Sequence, residues 1–116
     1  MKNIATFNFA AVAVNNSTDY TTSYRFQRST GDVCILVVTD AGTVNVSQQC
    51  SLDNQTWYDP INSSGSTVGA VATGQTVGSK YCVVTPVMAP HVRYKITETA
   101  AAATNVTLTL LSGEED

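Results

Sequence analysis

The chain has 116 residues, 43% of them hydrophobic and only 13% charged, which describes one folded domain around a single core and excludes a disordered segment. Its formal charge of −3 comes from 9 acidic against 6 basic side chains; Glu114, Glu115 and Asp116 supply three of the acids, leaving six against six in the body. A near-neutral body lacks the basic field that nucleic-acid binding needs, Arg25 and Arg28 are too few for a phosphate-binding stripe, and no apolar run approaches the roughly 20 residues that cross a bilayer.

The stretch from Met1 to Phe9 is broken by polar residues and lacks a signal peptide's apolar segment, so synthesis and folding in a cytoplasm are expected. Apolar residues fall at Phe7 and Phe9 and then at Val12 and Val14, so the phase slips at Ala10-Ala11, as in a bulged or bent strand. After the turn cluster Asn15 to Asp19, a second strand carries Tyr20, Tyr24 and Phe26 on its inward face and Arg25 and Gln27 on the other, until Ser29-Thr30-Gly31-Asp32 breaks it. Val33 to Val38 is apolar without alternation, the pattern of a central strand covered on both faces. Thr39-Asp40-Ala41-Gly42 ends it in a four-residue turn, with glycine where a positive φ is easiest. The next strand turns Val44, Val46, Cys50 and Leu52 inward and Asn45, Ser47, Gln49 and Ser51 outward. Gln48 alone breaks that pattern, as a sheet edge or a contact site would.

Asp53-Asn54-Gln55 reads as a tight polar turn and Trp57-Tyr58 as the start of a returning strand, a hairpin that ends at Asp59-Pro60. Ile61 to Ser79 is the longest stretch without a period; loops of that length are functional or mobile, and Val68, Val71 and Val77 supply one short strand there. Lys80 to Thr85 is a strand closed by Pro86, which cannot donate to a ladder. The last two strands keep a period of two: Val92, Tyr94 and Ile96 face in with Arg93 and Lys95 out, then Val106, Leu108 and Leu110 face in with Thr107 and Thr109 out. Between them Thr99 to Thr104 is a hairpin loop, because its run of alanines is too short to overcome helix nucleation. The fold class is therefore all-β: an antiparallel β-sandwich or jelly-roll-like barrel of seven to eight short strands. It occupies residues 1–116 as one domain, with an extended N-terminal segment 1–6 and an acidic C-terminal tail 112–116.

No residues in this pattern suggest a reaction. His91 is the single histidine, so a metal site or an activated nucleophile lacks the partners it needs, and neither a metal nor a cofactor is expected. Asp53 and Asp59 flank the hairpin tip as a glycosidase pair would, yet Asp in Asp-Asn and Asp-Pro steps caps turns, and turn capping is the expectation. Cys34, Cys50 and Cys82 are odd in number and lie within strands, so three buried, reduced thiols are expected. Tyr20, Tyr24 and Tyr94 read as core fillers, while Trp57, just after a turn, either caps the core or stands at a contact surface.

Two motifs carry a resemblance. Ser51-Leu52-Asp53-Asn54-Gln55-Thr56-Trp57 is a hairpin of the form serine, x, aspartate, three residues, tryptophan, and Ala89-Pro90-His91-Val92-Arg93 is an alanine-proline-x-valine-arginine strand. With Thr39 to Val46 and the closing Val106 to Leu110, they make the last two thirds of the chain resemble small all-β virion proteins of tailed bacteriophages; residues 1–30 match no part of that pattern. The resemblance implies a non-enzymatic structural protein of the virion, a capsid decoration or cement protein that binds the major capsid protein of the assembled shell, often as a homo-trimer. Sugar-binding β-sandwich modules share such a hairpin, which keeps a carbohydrate-binding or host-attachment module as the alternative. Partner contact is expected at Phe7, Phe9, Gln48, Trp57, Tyr58 and Val68, with the N-terminal segment and the loop 61–79 as the contacting regions.

Overall fold

The alternating segments become nine antiparallel strands among the described residues, sorted into two sheets that face each other across one core. The structure, a computed structural model, describes residues 2–9, 11–25, 33–85 and 89–115, with the backbone alone for 2–5 and 113–115. The strands are β1 (Lys2–Asn8), β2 (Val12–Val14), β3 (Thr18–Tyr20), β4 (Val33–Thr39), β5 (Val44–Ser51), β6 (Ala70–Gln75), β7 (Gly78–Val84), β8 (His91–Glu98) and β9 (Thr104–Glu115). Sheet A has the order β1-β9-β4-β7, with β2 also on β9; sheet B has the order β3-β8-β5-β6. Two separate ladders make this the sandwich rather than the barrel. Phe26, Gln27, Arg28, the break at 29–32 and Pro86 lie outside the described residues.

The phase slip at Ala10-Ala11 has the expected cause. Asn8 pairs with Thr109 and Val12 with Val106, so the first strand pair advances four residues while β9 advances three. One surplus residue returns Val12 and Val14 to the core face already used by Phe9. The chain ends differ from the expected extension and tail. Residues 2–8 pair with 109–115 along their whole length, so the N-terminal segment is the edge strand of sheet A and Glu114 and Glu115 belong to β9. The long aperiodic stretch is also more regular than its composition suggests. Ala70–Gln75 forms β6, and Ile61 pairs with Thr67 around a turn in which the Asn62 side-chain oxygen accepts from the amides of Ser64 (2.9 Å) and Ser66 (3.1 Å).

The core is the meeting of the two inner faces. Val33, Ile35, Val37, Val106, Leu108 and Leu110 come from sheet A, and Val44, Val46, Val92, Tyr94 and Ile96 from sheet B, all essentially shut off from water. Edge-to-face contacts run across one end of it, Phe7 on Phe9 (4.8 Å), Phe9 on Tyr94 (5.5 Å) and Phe7 on Tyr24 (5.1 Å), each an arrangement that aligns ring edge with ring face. The β4 pattern is realised on one side only. Cys34, Leu36 and Val38 point away from the core and are not fully covered among the described residues, which corrects the expectation of a strand buried on both faces.

At the other end, three loops are tied by one carboxylate. Glu98 continues the inward phase of β8, and its oxygens accept from the amides of Asn16 (2.8 Å), Thr43 (3.2 Å), Ala100 (2.7 Å) and Ala102 (3.1 Å). Burial pushes its pKa up, but these four donors favour the charged form more strongly and hold it down at about 2. Gly42 is required here. It has φ +67, and a Cβ on it would stand 2.5 Å from Glu98 Oε2 and 2.8 Å from Thr104 Oγ1.

Candidate contact face

The outer face of sheet B is the most elaborated surface of the molecule, and it starts from a turn. Ser51 Oγ accepts from the amide of Asn54 (2.9 Å), and Asp53 Oδ1 accepts from those of Gln55 and Thr56 (2.9 Å each), while Asn54 takes the left-handed conformation at φ +61. The amides of Thr56 and Gln55, with the Ser51 hydroxyl, lower the Asp53 pKa to about 2. Asp53 is thus a turn cap, as its sequence context indicates. The turn brings Tyr58 back to Cys50 through two backbone hydrogen bonds of 3.0 Å, a single bridge in place of a full returning strand. Leu52, expected inward, lies in this turn and is 78% exposed. Ser51, expected outward, is buried beneath its own hydrogen bonds.

That return lays Trp57 over β8. The Arg93 guanidinium lies 4.4 Å from the Trp57 ring and 3.9 Å from the Tyr20 ring, so the cation is held between two aromatic faces. Tyr20 reaches it because of a second register slip. Tyr20 pairs with Lys95 but Tyr24 pairs with Val92, four residues against three, so the two tyrosines face opposite sides. Tyr24 packs on the core while Tyr20 stands on the outer face, which corrects the expectation that both are inward. Arg93 Nε donates to Gln49 Oε1 (2.9 Å) and Gln49 Nε2 donates to Asp59 Oδ1 (2.9 Å), so an amide relays the arginine to the carboxylate. This network buries Gln49, which alternation alone places outward.

Beside the stack runs a groove of about 150 Å³, lined by Ser47, Asp59, Pro60, Thr67, Gly69 and Lys95. Gly69 lets the 59–69 segment close against β5, since a Cβ there would lie 2.9 Å from the Gln48 carbonyl oxygen and 3.0 Å from Pro60. The groove gathers a cation, a carboxylate and two hydroxyls, those of Lys95, Asp59, Ser47 and Thr67. Its polar groups are hydrogen-bond donors and acceptors open to a polar ligand, with the Ser47 hydroxyl opposite Lys95 across the β5-β8 ladder. Among the described residues no three His, Cys, Asp or Glu side chains cluster as metal ligands.

Of the six expected contact residues, the structure gathers three here. Trp57 is half-buried in the stack, and Tyr58 and Val68 are exposed on the arms that border the groove. Phe7 is partly exposed but on the edge strand of sheet A, against Tyr24. Phe9 (3% exposed) and Gln48 (1% exposed) present no surface. Gln48 resumes the inward phase of Val44 and Val46, and its amide nitrogen donates across the sandwich to the Thr85 carbonyl (3.1 Å), so its break with the apolar pattern marks a tie between sheets. All three thiols are free; Cys82 is buried, while Cys34 and Cys50 are only partly covered. Arg93, Gln49 and Tyr20 were not singled out by the sequence. The one available signal was the pairing of a long cation and an amide on neighbouring outward positions, Gln49 opposite Arg93.

No protein-family model and no curated protein matches the chain. Among solved structures, a chain from the structure of infectious bursal disease virus, Gx strain, superposes with a TM-score of 0.51 at 10% identity, covering 95% of this chain and 32% of that one. A chain from the Gt strain gives 0.43 at 13% identity, over 97% of this chain and 36% of the other. This chain therefore spans about a third of the length of the chains it resembles, and the likeness to the first is one of fold.

Proposed function

We propose that the chain is a non-enzymatic structural component of a virion and, within that class, a capsid decoration or stabilising protein that binds the assembled shell of a tailed phage. The observation that carries the general reading is the sandwich shared over 95% of this chain with part of a chain from a virus structure. The finer reading rests on the two motifs of the phage resemblance, which meet in space: Trp57, the last residue of the hairpin motif, stacks on Arg93, the last residue of the strand motif. A residue pair that closes both motifs on one outer face is a natural place for the shell to dock, with Tyr58 and Val68 beside it. The second reading, a carbohydrate-binding or host-attachment module, is favoured by the groove that gathers the polar side chains of Asp59, Lys95, Ser47 and Thr67.

Mixing the purified protein with shells that lack it, then sedimenting, tests the first reading. Saturable co-sedimentation that Arg93→Ala and Tyr58→Ala weaken is the expected result. Absence of co-sedimentation together with saturable binding to a host polysaccharide transfers the assignment to the second reading.

A further inference from the structure

The centre of the sheet B face is a cation that the chain immobilises without neutralising, and we propose that Arg93, with Lys95 beside it, is a binding site for carboxylates carried by a partner protein. The proposal rests on the reading of this face as a docking surface and names the chemistry that docks there. Arg93 carries its N–H donors in a planar fork, and only Nε–H is engaged, on Gln49 Oε1 (2.9 Å). The Tyr20 and Trp57 ring centroids lie 3.9 and 4.4 Å from its central carbon, so the faces of the fork are taken by aromatic rings and its Nη edge is the part left to bind. The Nη groups have no hydrogen-bond acceptor among the described residues.

Three observations name the ligand. The first is the place of Gln49. It accepts from Arg93 and donates to Asp59 Oδ1 (2.9 Å), so an amide stands where a direct arginine–carboxylate pair would form, and among the described residues neither Arg93 nor Lys95 makes an ion pair. Neutral groups therefore orient the guanidinium and leave its charge to an outside anion. The fork matches the paired oxygens of a carboxylate or a phosphate, and holding it in place beforehand lowers the ordering cost of binding. The second is the charge of the whole chain. At −3 it repels a polyanion such as a nucleic acid or a phosphate-rich surface, and single carboxylates match these two cations better. The third is composition. Tyr20 (39% exposed) and Trp57 hold the arginine and Tyr58 (59% exposed) follows, and Trp, Tyr and Arg are the residues that concentrate binding energy where proteins meet. Lys95 is the next outward position of β8, about 6.8 Å along the strand, so acidic side chains on alternate residues of an extended segment have the spacing to meet both cations.

NMR titration of the isotope-labelled protein with an end-blocked peptide of alternating Glu and Gly tests this with no shell present. Saturable shifts of the Arg93 Nε–H and Trp57 Nε1–H signals are expected, and none with the peptide that carries Gln in place of Glu. Arg93→Gln, followed at Trp57, should weaken binding at least about tenfold, and Arg93→Lys and Lys95→Gln by about two- to fivefold, since the first keeps the charge without the fork and the second keeps the fork without its neighbour. Arg93→Lys also keeps a cation between the rings, so it carries the test should Gln disturb the stack. Lys80→Gln, on sheet A, should bind as the wild type does. The proposal is overturned by the absence of saturable shifts, by equal binding of the Gln peptide, by an Arg93→Lys variant that binds like the wild type, or by an equal loss in Lys80→Gln. An oligogalacturonate that binds where the peptide does not also overturns it and gives the face to an acidic sugar. Shell binding fails separately: shells that capture the wild type and Arg93→Gln equally refute the carboxylate site and leave docking standing, whereas peptide binding by a protein that no shell captures does the reverse.

Discussion

Replacing Leu108 by alanine tests the assignment of faces on β9 most directly. Leu108 is 1% exposed, in the middle of the strand that pairs with β1 and β2 on one side and β4 on the other, with Val37 opposite it. Truncating a buried leucine costs about 2–5 kcal/mol, and the upper part of that range applies where neighbours cannot collapse into the space. Here both flanking ladders hold the backbone, so about 3–5 kcal/mol is expected, a large share of the 5–15 kcal/mol that stabilises an ordinary domain. Thr107→Ala and Thr109→Ala, on the outer face, should cost less than about 1 kcal/mol each; Thr109 loses only its hydrogen bond to Asn8 Oδ1 (2.9 Å). Urea unfolding followed by circular dichroism gives the three values, with an unchanged slope showing that the unfolded state is the same. Should Thr109→Ala prove more damaging than Leu108→Ala, the register of β9 is displaced by one residue and the reasoning fails.

Three further outcomes are expected. Because the folded-state pKa of Glu98 lies at about 2, below its ordinary 4.5, its stabilisation is complete above pH 4.5 and is lost as pH falls toward 2; the melting temperature of the wild type should drop across that window, while Glu98→Gln should start lower at pH 7 and drop less. Equal slopes for the two proteins would refute the four-donor role of Glu98. The Tyr94 hydroxyl is buried with no hydrogen-bond partner among the described residues, and burial raises its pKa further, so Tyr94→Phe should fall within about 0.5 kcal/mol of the wild type or exceed it; a clear loss by chemical unfolding would mean that the hydroxyl is bonded after all. Alkylation without prior reduction should modify all three cysteines in denaturant by mass spectrometry, and in the native state Cys82, buried and with its thiol pKa raised by burial, should react last.

The sandwich was readable because its strongest signals are local. Val92 to Ile96 and Val106 to Leu110 alternate without interruption, and the structure keeps every one of those assignments. The assignments that changed sit where the period of two is interrupted. Between Tyr20 and Tyr24 a register slip flips the face, and the residues on either side are unchanged in type, so nothing in the chain marks where the extra residue enters. Leu52 looks like the next inward position after Cys50, but β5 ends at Ser51 because the Ser51 and Asp53 side chains capture the following amides. The polar residues Gln48, Gln49 and Glu98 carry a hydrophilic label whether they face water or a buried partner. Only the partner decides, and it lies 37, 10 and 44, and up to 82 residues away for these three.

The same distance in sequence explains why the contact face was harder to see than the fold. Its centre is Arg93, which needs Gln49 from the neighbouring strand, Tyr20 from the far side and Trp57 from the hairpin arm. Each of these has a plainer role when read alone, as a solvated cation, a polar strand residue, a core aromatic and a cap on the core. Only the β3-β8-β5 order brings them together, and that order follows from crossovers between sheets that local periodicity does not encode. The two sides of the sandwich are unlike for a reason visible in the strands themselves. On sheet B the outward positions of β5 and β8 include Asn45, Gln49 and Arg93, which find partners within the chain, whereas on sheet A those of β4 and β7 include Leu36, Val38, Tyr81 and Val83, apolar side chains that the described residues leave partly or largely exposed.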